Sequence, residues 1–110
     1  MNEKDGELYR IMDNVIQCCS VLTNDGRAKV SRDLLIGRCR KENVVIVRTM
    51  VAMQIYAAGY TISTIADFLG KRSPQSVHQM LDKGYYLSRN SRAYRIAENE
   101  ATILNKHDHP

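Results

Sequence analysis

The stretch Ile62-Ser63-Thr64-Ile65-Ala66-Asp67-Phe68-Leu69-Gly70-Lys71-Arg72-Ser73-Pro74-Gln75-Ser76-Val77 decides the fold. Thr61 is placed to cap a short helix, Ile62 to Leu69, and Gly70 supplies a left-handed stop. After Lys71 and Arg72, Ser73 caps again, and Pro74 falls at the first helical position, where its missing N–H costs nothing. The helix it opens is expected to run to about Ser88, through Gly84. A short helix, a glycine turn and a longer helix form a helix-turn-helix pattern. Ile65, Ala66 and Leu69, with Val77 and Leu81, are expected to pack the two helices together. On the second helix Val77, Leu81, Gly84 and Ser88 share one face, and Gln75, Gln79, Asp82 and Tyr86 share the opposite one.

Upstream, the most apolar segment runs from Val44 to about Ala58, with Asn43 read as its cap and Gly59 as its end. Its apolar positions go nearly all round, as in a helix buried among others. The β-branched run Val44–Val47 would also suit a strand, but no second convincing strand exists to pair with it. Before it, Ser31 caps a short helix holding Leu34 and Leu35, which Gly37 ends, and a basic connector Arg38-Cys39-Arg40-Lys41 follows. Leu8, Ile11, Met12, Val15, Ile16, Cys19 and Leu22 recur at three- and four-residue steps, predicting a helix over about 6–23 that Asn24-Asp25-Gly26 stops. Downstream, Asn90-Ser91 restarts a last helix carrying Ala93, Ile96, Ala97 and Ile103. The tail from Asn105 to Pro110 is expected to fray, with His107 and His109 as tail residues rather than metal ligands. The fold class is therefore all-α, with about six helices in a single domain over residues 1–110.

The 110 residues suffice for one real core. With one Phe and no Trp, that core rests on Ile, Val, Leu, Met and Ala. The net charge of +4 is unevenly spread, for residues 32–89 carry nine bases against four acids. Such a stretch leans toward acidic partners, though a solvated face has the same composition. Cys18, Cys19 and Cys39 fit no disulfide framework and no C-x-x-C motif, so they read as small apolar residues of a reducing compartment. MNEKDGELYR lacks the apolar core of a signal peptide and no run reaches membrane-span length, which points to a cytoplasmic chain with no membrane partner. No nucleophile–base pair, metal-ligand spacing or paired carboxylates support an enzyme, and no metal or cofactor is expected. No G-x-x-x-x-G-K-[ST] phosphate loop is present, so no ATPase activity is expected of the chain alone.

The N-terminal turn of the second helix offers amides, a hydroxyl and a helix dipole beside Lys71 and Arg72. That combination suits phosphate and base-edge contacts in a major groove, although an ordinary helical hairpin of a bundle shares the pattern.

Ile65-Ala66-Asp67-Phe68-Leu69-Gly70-Lys71-Arg72, a four-residue helix start and the apolar Val77 resemble the C-terminal DNA-binding domain of the bacterial chromosomal replication initiator DnaA. Met12-Asp13-Asn14-Val15, Ser31-Arg32-Asp33-Leu34-Leu35 and Arg48-Thr49-Met50-Val51-Ala52-Met53 match in order, so the resemblance covers about residues 10–100. It implies a six-helix, Trp-repressor-like domain whose recognition helix enters the major groove while a basic loop reaches the adjacent minor groove. Arg72 matches the arginine before the recognition helix, Ser76 stands for a small hydroxyl residue, and one of Arg38, Arg40 and Lys41 takes the basic-loop role. Ser73-Pro74-Gln75 replaces the family's aspartate-histidine-threonine reading triplet, so a preferred site other than the DnaA box is expected. His78 stands where the family has an apolar residue and is expected to be a partly buried core-edge histidine.

The expected function is sequence-specific binding of double-stranded DNA in replication initiation or transcription control, with other replication or regulatory proteins as further partners. The DNA-binding set is Arg38, Arg40, Lys41, Lys71, Arg72, Ser73, Pro74, Gln75, Ser76 and Gln79. Because the chain starts at Met1, a free-standing protein rather than an excised domain is expected. The alternative is a helical protein-interaction module without DNA readout, which the replaced triplet and Asp82 on the outer face favour.

Overall fold

A computed structural model describes residues 3–19 and 30–107. Among these the chain forms six helices and no strand: α1 (Glu3–Cys18), α2 (Arg32–Ile36), α3 (Glu42–Ala57), α4 (Ile62–Phe68), α5 (Pro74–Asn90) and α6 (Arg92–His107). The expected all-α class holds, and Val44–Val47 is helical. The expected end of the first helix, Leu22 with Asn24-Asp25-Gly26, lies outside the described residues.

Helix α3 is the axis of the fold and touches each of the other five helices. Its residues from Val47 to Ala52 are all buried, so no face is left for solvent. Burial of this kind stabilises by roughly 1.5–3 kcal/mol for each large aliphatic side chain removed from water. Two polar members of α3 are satisfied inside, Arg48 at the site described below and Gln54 at the other end. Gln54 donates from Nε2 to Thr102 Oγ1 at 3.0 Å and accepts at Oε1 from Asn105 Nδ2 at 2.8 Å. Asn105 Oδ1 in turn accepts from Asn14 Nδ2 at 2.9 Å, joining α1, α3 and α6. This network explains one correction, for residues 105–107 continue α6 instead of fraying.

Caps set most of the remaining boundaries. Thr61, Ser73 and Ser31 each accept at Oγ from the backbone N–H three residues on, that of Thr64, Ser76 and Leu34. Asn43 does not cap α3. That helix starts one residue earlier, at Glu42, with Lys41 at the N-cap and no side-chain cap bond. Glu42 places its charge in the positively polarised first turn.

Two glycines permit close approaches. Gly70 adopts φ +89°, and a Cβ there would lie 2.2 Å from the carbonyl oxygen of Ile36. Only glycine lets the turn after α4 press against the end of α2. Gly84 lies where α5 crosses α3, with Met53 Cγ 2.6 Å from where a Cβ would stand. A glycine that would weaken an isolated helix here lets the Met53 and Thr49 side chains of α3 close against α5.

Cys18 and Cys19 are buried, as expected, but Cys39 is only half-buried. Burial first, and then the neighbouring Cys18, push the Cys19 thiol up to about 12, and its Sγ lies 3.4 Å from Met50 Sδ. No helix among the described residues is long and apolar enough to cross a membrane.

Candidate nucleic-acid interface

The pair α4–α5 packs as its sequence requires. Ile65, Ala66, Leu69, Val77 and Leu81 are all buried, and Leu69 and Val77 have no exposed surface. The turn between the helices is tightly drawn. Leu69 N–H donates to Ile65 O, Lys71 N–H to Asp67 O at 3.3 Å, and Arg72 N–H to Ala66 O at 2.9 Å. Lys71 takes φ +57°, a conformation non-glycine residues seldom adopt. Phe68 is anchored to α1 by an edge-on contact with Tyr9, ring centroids 5.0 Å apart.

Beyond this turn, α5 opens outward. Ser73, Pro74, Gln75, His78, Gln79, Asp82 and Tyr86 are exposed, while Val77, Leu81 and Gly84 face the core. His78 is therefore not the core-edge residue the sequence suggests. It follows Val77 by one residue, and the 100° turn of the helix carries it away from the buried face.

The loop after α2 lies against the same turn. Arg38 Nη2 donates to the carbonyl oxygen of Gly70 at 3.1 Å, and Arg72 Nη2 donates to that of Gly37. Beneath both sits Arg48, only 5% exposed although it carries a charge. It donates from Nε to Leu35 O at 2.7 Å, and from Nη2 to Leu34 O at 2.9 Å, Cys39 O at 3.0 Å and Gly37 O at 3.3 Å. Four carbonyls at the end of α2 and in the loop are thus gathered by one guanidinium, which satisfies orphan acceptors at the C-terminus of α2.

Arg38, Arg40, Lys71, Arg72, Ser73 and Ser76, with Cys39 and Arg48, line one open cleft without a carboxylate. Of the ten residues the sequence points to, these six come together there. Lys41 stands apart as the exposed residue before α3, and Pro74, Gln75 and Gln79 sit on the outer face of α5. The cations are not equivalent. Arg40, Lys41 and Lys71 are exposed, Arg38 is exposed but bonded to the turn, and Arg72 is half-buried against Gly37. Burial, and then the charges of Arg48 and Arg38, draw the pKa of Arg72 down to about 10, so it stays cationic at neutral pH.

Arg48 is a member of the site that the sequence reading does not include. A signal for it exists, since it is the one cation inside the apolar run Val44–Ala58, and a buried charge there requires partners. Among the described residues no group of three His, Cys, Asp or Glu side chains is arranged to hold a metal ion. Set against family models, curated proteins and solved structures, the chain finds no match in any of the three.

Proposed function

We propose that this chain binds double-stranded DNA sequence-specifically, with α4, the turn and α5 acting as a helix-turn-helix. The N-terminal turn of α5 enters the major groove, and the loop Arg38–Lys41 follows the flanking backbone or minor groove. One observation carries this reading: the exposed start of α5 and the basic loop are bonded to the same turn and form one surface with a carboxylate-free cleft. Two elements bonded together in this way bring their cations to one surface, as phosphate contacts along a duplex require. Gln75 and Gln79 stand one helical turn apart on the exposed face, where an amide can contact the N6 and N7 edge of adenine. The resemblance to the DnaA C-terminal domain points the same way. It suggests a cytoplasmic role in replication initiation or transcription control, without ATPase activity of this chain's own.

Selection of bound sequences from random duplex DNA tests the reading. A recovered motif of several base pairs supports it, and an unenriched pool counts against it.

The second reading, a protein-interaction module, has its own observation. Tyr85 and Tyr86 are 50% and 64% exposed on α5, Tyr56 is 45% exposed at the end of α3, and Asp82 adds a negative charge to the outer face of α5. Tyrosines left in water are commonly contact residues. The basic cleft, which this second reading does not use, is why the first is preferred.

A further inference from the structure

Three guanidinium groups, those of Arg38, Arg48 and Arg72, line the cleft between the loop after α2 and the turn before α5. Every hydrogen-bond partner seen for them is a neutral backbone carbonyl: those of Leu34, Leu35, Gly37, Cys39 and Gly70. A carbonyl satisfies a donor but cancels no net charge. Arg40 and Lys71 add two more cations to the lining, and no acid joins them. Like charges confined at the edge of a protein interior repel more strongly than in water, because the local dielectric is lower. The strain is visible at Arg72, whose charged form is disfavoured by burial and by its two neighbours, and whose buried Nε has no partner among the described residues.

The cleft therefore has surplus positive charge and unused donors. Each guanidinium carries five N–H groups, of which those on Nη1 of all three residues and on Nε of Arg38 and Arg72 have no partner among the described residues. Ser73 Oγ accepts from the Ser76 amide, which leaves its own O–H free to donate. Donors on three separate guanidinium groups suit an anion whose oxygens point in several directions better than a planar carboxylate, which one guanidinium fork can saturate. We propose that this cleft is a seat for a single phosphate group, held jointly by Arg38, Arg48 and Arg72. The choice of occupant rests on the DNA reading, under which a phosphodiester of the bound duplex fills the seat. A free phosphorylated molecule would bring the same chemistry.

The test is a titration of the whole, isotope-labelled chain with orthophosphate, at ionic strength held constant with sodium chloride and followed by NMR. Saturable shifts are expected on the backbone amides of Arg38–Arg40 and Lys71–Ser73 and on the Nε–H signals of Arg48 and Arg72. Arg38→Gln gives up the Gly70 bond as well as the charge, so unchanged amide shifts across α4 and α5 are the control that the junction holds. With it held, phosphate binding is expected to weaken about tenfold, as loss of one charge-assisted hydrogen bond implies. Shifts that never saturate, that spread over all surface lysines and arginines, or that chloride alone reproduces would overturn the seat, as would an Arg38→Gln variant titrating like the parent. A short duplex added to the phosphate-loaded protein then identifies the source. Displacement of phosphate from these signals assigns the seat to a phosphodiester. A saturating phosphate response that duplex DNA leaves untouched keeps the seat, assigns it to a free phosphorylated molecule and counts against the DNA reading. Duplex binding with no response to phosphate removes the seat and leaves the DNA reading intact.

Discussion

Arg38 and Gly70 are 32 residues apart in sequence, yet the Arg38 guanidinium donates to the Gly70 carbonyl at 3.1 Å. The bond joins the loop after α2 to the turn before α5, and the Arg72 bond to Gly37 runs the opposite way across the same junction. Two exchanged arginines make one body of two elements, and the proposed interface depends on that body.

Gly70→Ala and Gly59→Ala separate backbone conformation from steric contact. Both glycines have positive φ, +89° and +99°, but a Cβ on Gly59 meets nothing within 4 Å whereas one on Gly70 strikes the Ile36 carbonyl. Gly59→Ala is expected to cost about 1–2 kcal/mol, the conformational penalty alone. Gly70→Ala must also displace α2 from the turn, and is expected to cost about 3 kcal/mol or more. Urea denaturation of both variants checks this, and equal losses would mean the turn does not press on α2 in solution.

Arg48→Lys keeps the charge but carries its donors on one nitrogen, against the four carbonyls that two arginine nitrogens now serve. A loss of about 2–4 kcal/mol is expected, as for a broken buried polar network. Faster amide exchange in residues 37–41 should accompany it, with α4 and α5 still protected. A lysine variant as stable as the parent, with unchanged exchange, would show that the loop is held by other means.

Tyr94 is 1% exposed and its hydroxyl has no hydrogen-bond partner among the described residues. Burial, more than the nearby Glu98 and Cys19, raises its pKa. Tyr94→Phe removes an unsatisfied hydroxyl and keeps the ring, so stability is expected to stay level or to rise by about 1 kcal/mol. Thermal denaturation decides, and a drop of about 2 kcal/mol or more, the scale of a broken buried hydrogen bond, would reveal a partner for that hydroxyl.

Much of this architecture is legible in the sequence because it is local. Thr61, Ser73 and Pro74 specify helix starts by their own chemistry, and Gly70 specifies a left-handed stop. The all-round apolar pattern of Val44–Ala58 marks the central helix. What cannot be read is tertiary. Asn43 looks like a cap until Glu42 is seen to begin the helix, and the end of α6 needs Gln54 and Asn14 to hold Asn105. Ile96 and Ile103, which their spacing places on the last helix, are half-exposed there, since Tyr94, Ala97 and Ala101 face the core instead. At the candidate site the cations are plain in the sequence, but their division of labour is not. Which of them bond backbone and which stay free depends on a junction between segments more than thirty residues apart.

Under the proposed DNA binding, Gln75 is the residue on which base readout is tested. It is exposed at the second position of α5, one turn before Gln79. Gln75→Ala is expected to cost about 1–3 kcal/mol at one or two base positions of a selected duplex, with non-specific affinity unchanged. Binding across single-base variants of that duplex measures it, and an equal loss on every variant would remove Gln75 from the readout.

Whether this surface grips a duplex is decided most sharply by DNA affinity measured as a function of salt, for the parent chain and for Arg40→Ala and Lys71→Ala. Both residues are exposed and line the cleft, so neither substitution should disturb the fold. Binding through these cations predicts a linear fall of log affinity with log salt, its slope smaller by about 0.9 for every phosphate interaction that a substitution removes. An affinity that stays flat from low to physiological salt, or a slope that neither substitution changes, would contradict it.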